Sequence, residues 1–284
     1  MRALPCALLL LLSTLPAAAE EGEGPDLREL STARALGMGG AFRSLGVAGE
    51  SVVGNPAAMS LYRRYTVDVT GAYDLATRYA FGNATIVDSQ TNALAAGVAY
   101  HLVTLGTGET QRLTHHNTLA LSFPLSDVLM IGTSGKYLLQ SGAQSSNAVT
   151  MDAGVIVRLL GLVVGFSGHN LIDIANPDAT RYFALAASYS NGLDLNVAAD
   201  VRSDLGPRAA ETFVLNTGLE YAVGGVFPLR AGYSLDRRLG RQDLSAGLGF
   251  IVDNTGVDVA YRREISGGNG QMLLVTLRMQ TARN

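Results

Sequence analysis

The residues able to do chemistry are few and poorly grouped for catalysis. The histidines are His101, His115, His116 and His169. His115 and His116 are adjacent, so on an extended strand their rings point to opposite faces. No HxxxH or HExxH spacing occurs, which leaves a zinc site unsupported. Ser167 and His169 are two apart and would share a strand face, with Asp173 nearby. Those are the residue types of an acyl-transfer triad, but a triad is defined by geometry that spacing does not supply. Gly37-Met38-Gly39-Gly40 follows no strand and has no lysine after it, so it makes a poor phosphate loop. Nothing here calls for a cofactor or a metal, and the chain reads as a non-enzyme.

The charged residues are better organised. From Leu193 to Arg202, Leu193, Leu195, Val197, Ala199 and Val201 share one face, and Asp194, Asn196, Asp200 and Arg202 share the other. Phe213, Leu215, Leu219 and Tyr221 alternate in the same way with Asn216, Gly218 and Glu220. Val257, Val259 and Tyr261 alternate with Asp258 and Arg262. A period of two means a strand with one greasy and one polar face. Collected over the chain, the polar faces carry Asp68, Asp74, Lys136, Asp152, Arg158, Asp194, Asp200, Arg202, Glu220, Arg230, Asp258 and Arg262. Both signs are present. They predict a structural network of ion pairs and hydrogen bonds on an enclosed face, since charges out of bulk water must pair.

These strands must be positioned by something larger than a soluble sandwich. Charged residues make up 16% of the chain and hydrophobic ones 48%, whereas soluble proteins carry roughly 25% charged residues. No apolar run beyond the N-terminus is long enough for a membrane helix. Apolar content dispersed by alternation suits a transmembrane barrel. About fourteen runs of roughly ten residues follow Tyr65, the length that crosses a bilayer at a tilt. Connections alternate. Longer ones are Leu105–Thr110, Ser141–Asn147, Leu171–Thr180, Ser203–Ala210 and Glu264–Gly270; tight ones are Asp88-Ser89-Gln90, Leu159-Leu160-Gly161, Asn191-Gly192 and Asp253-Asn254-Thr255. Outer-membrane barrels have short periplasmic turns and longer outer loops. Tyr65 with Tyr73, and Phe213 with Tyr221, would stand at opposite ends of greasy faces, as interfacial girdles do.

The N-terminus reads as an export signal over residues 1–19: Arg2, an apolar core from Ala3 to Leu15, then Ala17-Ala18-Ala19. The sole cysteine, Cys6, falls inside it, so the mature chain is expected to have no thiol chemistry. Residues 20–34 read as an acidic periplasmic leader. The net charge of −3 argues against a nucleic-acid partner.

Between leader and strands lies Gly37–Ser60, GMGGAFRSLGVAGESVVGNPAAMS, rich in glycine and alanine and nearly uncharged. Small residues let a segment lie close to other backbone, so residues 35–62 are predicted to fill the lumen of a barrel formed by 63–284. The run GMGGAF followed by GNPAAMS resembles the N-terminal signature of outer-membrane barrels of the FadL-type long-chain fatty-acid transporters and their PorV/PorQ-like relatives. Gly165-Phe166-Ser167-Gly168-His169-Asn170-Leu171 is a weaker echo. The resemblance implies an all-β, fourteen-stranded antiparallel barrel in the outer membrane of a Gram-negative bacterium, with an N-terminal hatch inside. It assigns hatch and ligand roles to Gly37, Gly39, Gly40, Phe42, Asn55, Pro56 and Ala57. It also implies binding or passage of small hydrophobic molecules by a monomer surrounded by outer-membrane lipid and inserted by the barrel-assembly machinery. The alternative is a PorV-like accessory of secretion, or a structural barrel. Loops shorter than those of the transporters, and a last strand ending Leu277-Arg278-Met279 without a terminal aromatic, depart from the pattern.

Overall fold

The computed structural model describes residues 31–75, 79–105, 111–142, 145–172, 180–204 and 213–282. The expected export signal, residues 20–30 of the leader and Asp173 lie outside the described residues. The strands are β1 (Arg64–Asp74), β2 (Ala80–Asp88), β3 (Ala95–Leu105), β4 (Arg112–Pro124), β5 (Leu129–Gly142), β6 (Ser146–Leu159), β7 (Leu162–His169), β8 (Tyr182–Ser190), β9 (Leu195–Ser203), β10 (Val214–Val223), β11 (Phe227–Asp236), β12 (Arg241–Val252), β13 (Thr255–Glu264) and β14 (Gln271–Ala282). Each pairs with its chain neighbours, and β1 closes on β14 to make one antiparallel barrel of fourteen strands. Closure leaves no edge with unpaired backbone. Among the described residues no helix is long and apolar enough to cross a membrane.

Alternation sorts the side chains as the sequence predicts. Val69, Leu119, Leu185, Leu248 and Leu277 face outward and are exposed, while Asp68, Asp152 and Asp200 face inward and are buried. One expected inward charge is misplaced. Asp194 precedes β9 in an exposed turn, where its Oδ1 accepts from Asn191 Nδ2 at 2.8 Å. That hydrogen bond holds its carboxyl below the usual carboxylate range. The face pattern runs one turn past the strand here, because the Asn191 side chain ends the ladder: its Oδ1 accepts from the backbone N–H of Leu193, Asp194 and Leu195. Two connections also differ. The β2–β3 turn runs from 89 to 94, held open by Asp88 Oδ1 accepting from Gln90 N and Thr91 N. The expected Ser141–Asn147 loop shrinks because β5 and β6 keep pairing as far as Gln140 with Ser146.

Residues 31–61 form α1 (Ala33–Gly37), α2 (Ala48–Gly54) and a 3-10 turn at Pro56–Ser60. They are buried almost throughout. α1 meets β11–β14, α2 meets β1–β4, and the 3-10 turn meets β3–β6. A segment that touches a closed ring of strands from so many sides lies within it.

Candidate functional site

The inner segment is held at its two ends by different means. At the first end, Thr32 caps α1 by accepting from Ala35 N, and Ala33 N donates to Thr276 Oγ1 of β14 at 2.8 Å. Arg34 then reaches β10: its Nε and Nη2 donate to Glu220 Oε2 and Oε1, both at 2.8 Å. This two-pronged match of guanidinium to carboxylate is the strong form of such a pair. From Glu220 the network runs to Arg230 (2.6 Å), then Asp258 (2.6 Å). Arg278 joins Asp68 (2.7 Å), Asp258 (3.9 Å) and Glu50 of α2 (3.7 Å). Glu50 also accepts from Thr32 Oγ1 and pairs with Arg34 at 3.3 Å. Three arginines and four carboxylates, all buried, thus tie the segment to β1, β10, β11, β13 and β14. Glu50 and Arg278 were not singled out by alternation. Glu50 lies outside any strand, and Arg278 falls at the inward parity of β14.

A second charged contact follows. Asp200 Oδ2 of β9 accepts from Phe42 N, Arg43 N and Arg43 Nη1 at 3.0, 3.1 and 3.1 Å. The Arg43 guanidinium lies 4.7 Å over the Phe42 ring.

At the other end the fit is one of shape. Asn55 Oδ1 accepts from Ala57 N at 3.1 Å, and Pro56 supplies the first residue of the 3-10 turn; a proline there is pre-set for a helical start. Asn55 Nδ2 reaches the carbonyls of Val155 and Phe166, both at 3.4 Å. What lets the box sit so close is glycine in the wall. A Cβ on Gly132 of β5 would strike Ala57 N and the Pro56 carbonyl carbon, and one on Gly154 of β6 would strike Asn55 Oδ1. The first end shows the same device. Gly218 and Gly232 meet Met38 and Gly39, and Gly247 meets Gly37. Gly39 has φ +67° with a carbonyl and an amide of the wall against it, so no other residue fits there. Gly40 accepts at its carbonyl from Asn216 Nδ2 at 3.3 Å. Of these wall glycines only Gly218 was placed on an inner face in sequence, although each stands at the inward parity of its strand.

A third cluster lies on β5–β7. Lys136 Nζ is 2.6 Å from Asp152 Oδ2, and His169 Nδ1 is 3.0 Å from the same oxygen. Ser167 Oγ is 2.9 Å from His169 Nε2. Asp152 thus takes the third place of the triad pattern. The surroundings do not suit acyl transfer. Ser167 is 1% exposed, and its Oγ lies 3.3 Å from the Gly54 carbonyl oxygen, an acceptor where an oxyanion would need donors. The cluster instead joins α2 to the wall. Arg158 sits at the short-turn end and donates to the carbonyls of Leu61 and Asp127. It is tied to backbone, not to a carboxylate, in those contacts.

On the long-loop side of the inner segment, Leu36, Tyr79, Phe81, Met272 and Leu274 pack together. They line a cavity with Phe42, Asn216, Arg43, Arg202 and Arg262. Its volume is about 30 Å³, against the ~150 Å³ that accommodates benzene in a protein core.

No family model matches the chain, and no curated protein matches it. Solved structures do. The toluene transporter TbuX of Ralstonia pickettii superposes with TM-score 0.68 at 12% identity, over 91% of this chain and all of that one. A monoaromatic hydrocarbon channel, CymD, gives 0.66 at 13% identity, over 88% and 97%. A FadL homologue of Pseudomonas aeruginosa gives 0.60 at 14% identity, over 88% and 98%. The chain therefore has the fold of the FadL-type outer-membrane barrels.

Proposed function

We propose that the chain is an outer-membrane channel for small hydrophobic molecules, gated by residues 31–61. The observation that carries this reading is the cavity beside α1. Apolar side chains from β2 and β14 face it, yet it holds about 30 Å³, room for roughly one water. A toluene-sized molecule needs this space to widen, and a shift of the inner segment would widen it. The fold shared with hydrocarbon and fatty-acid barrels supports it. Gly37, Gly39, Gly40, Phe42, Asn55, Pro56 and Ala57 then act as the hatch, and the buried ion pairs hold it in register.

The test is a reversible lock. The chain beyond Cys6 is free of cysteine, and Ala33 N lies 2.8 Å from Thr276 Oγ1. A Cys pair replacing Ala33 and Thr276 would tie α1 to β14. In proteoliposomes, uptake of labelled toluene or decanoate is expected to stop on oxidation and return with dithiothreitol. Uptake indifferent to oxidation, with the cross-link confirmed on gels, would sink the gate. No uptake by the unlocked protein would sink the channel and favour a secretion-accessory or structural barrel.

A further inference from the structure

Six connections close the short-turn rim, and all six lie among the described residues: 89–94, 125–128, 160–161, 191–194, 224–226 and 253–254. Four consecutive ones, between β2 and β9, each present an exposed leucine. Leu94 is 48% exposed, Leu125 54%, Leu160 106% and Leu193 89%. The other two turns carry Gly224-Gly225-Val226 and Asp253-Asn254.

These leucines are not on loose loops. Leu160 occupies a two-residue hairpin at φ +42°, a position that suits Asn or Asp far better. Leu193 is held out by the Asn191 side chain, which accepts three consecutive backbone N–H groups. Leu125 N donates to Leu129 O at 2.9 Å. Ordered backbone thus keeps apolar tips in contact with whatever surrounds the rim.

We propose that the barrel sits obliquely in the bilayer, with the β2–β9 side of this rim immersed in the lipid interface and the β10–β13 side in water. Two observations select lipid over a protein partner. First, the tips continue the lipid-facing belt: Leu159 and Leu162 flank Leu160, face outward and are exposed. Second, the tips are spread out. Two strands per turn at ~4.8 Å, tilted ~45°, put neighbouring tips roughly 13 Å apart. Protein interfaces need a contiguous packed centre, whereas a fluid fills round isolated side chains. Asp127 and Asp194, in two of the same turns, limit the depth to the headgroup region, where carboxylates still meet water.

The chain contains no tryptophan, so a single introduced one reports its own surroundings. Leu160→Trp, Leu193→Trp, Asn254→Trp and the mid-belt Val69→Trp would be folded into phosphatidylcholine vesicles, with or without bromine near the headgroup end of the acyl chains. Leu160→Trp and Leu193→Trp are expected to lose emission to bromine and to be blue-shifted; Asn254→Trp is expected to keep its emission. Tryptophan's own liking for interfaces is common to all three rim variants, so their difference reads the seat. Equal quenching at Leu160→Trp and Asn254→Trp would overturn the oblique seat. Quenching of Val69→Trp alone would place the leucines in water and overturn lipid as their occupant. Two independent leucine sites keep the test intact if one variant misfolds.

Discussion

Both ends of the inner segment lie against wall glycines, but only the first adds a network of buried charge. At α1 the segment is tied by charge: Arg34, Glu50, Glu220, Arg230, Asp258, Arg278 and Asp68 form one buried network. At Asn55–Ala57 charge plays a minor part, and the wall is simply hollowed by Gly132 and Gly154. Buried ion pairs specify register but lose much of their attraction to desolvation. Close backbone packing gives contact without that cost but tolerates no added atom. A gate built this way would yield first where its ties are exchangeable, at the charged end.

The largest expected effect tests the charged end. Arg34→Met removes the two-pronged contact with Glu220 and leaves Glu50 and Glu220 short of a cation. Breaking one partner of a buried pair costs about 3–5 kcal/mol, to be read as a fall in the urea midpoint of the vesicle-folded barrel. Arg34→Met with Glu220→Met should recover part of it. A double variant no better than the single one would show that Glu220 is needed as much by Arg230 as by Arg34.

The shape-fitted end comes next. Gly132→Val puts a branched side chain into the Pro56–Ala57 backbone, and overpacking costs about 1–3 kcal/mol. Gly135→Val is the control, on the same strand but facing outward with nothing near its Cβ; a β-branched residue there should be neutral within about 0.5 kcal/mol. Equal effects would mean that the contact of Gly132 with Pro56 and Ala57 has been misread. Smaller again is Asn55→Ala, which loses the cap on Ala57 N for about 1 kcal/mol. Faster amide exchange confined to residues 55–61 would report it.

Most of the fold was legible because lipid enforces alternation. The fourteen runs of roughly ten residues expected after Tyr65 are the fourteen strands of the barrel. Asp194 failed because a side-chain turn, invisible to periodicity, ends the ladder before it. Within the site, Asp200, Glu220, Arg230 and Asp258 could be placed on the inner face by parity alone. Their partners Arg34 and Glu50 could not, since they lie on short helices with no period to read. The wall glycines were harder still. A strand glycine carries no sign of which face matters until the segment opposite it is known. For the same reason Ser167 and His169 were seen to share a face, while Asp152, on the neighbouring strand, needed the register of β6 against β7 to join them.

The last effect, about as small, separates the two meanings of that cluster. Ser167 Oγ bridges His169 Nε2 and the Gly54 carbonyl, so it couples the wall to the last residue of α2, next to Asn55. Ser167→Ala should cost about 1 kcal/mol, the net worth of an ordinary buried hydrogen bond. It should leave the lipid content of the vesicles unchanged. Loss of an ester-hydrolysing activity on this substitution would instead make Ser167 a nucleophile, and would mean that the inner segment leaves the wall far enough to uncover it. A stability loss alone leaves the cluster as a polar tie that holds the end of α2 against β7, beside the Asn55–Ala57 box.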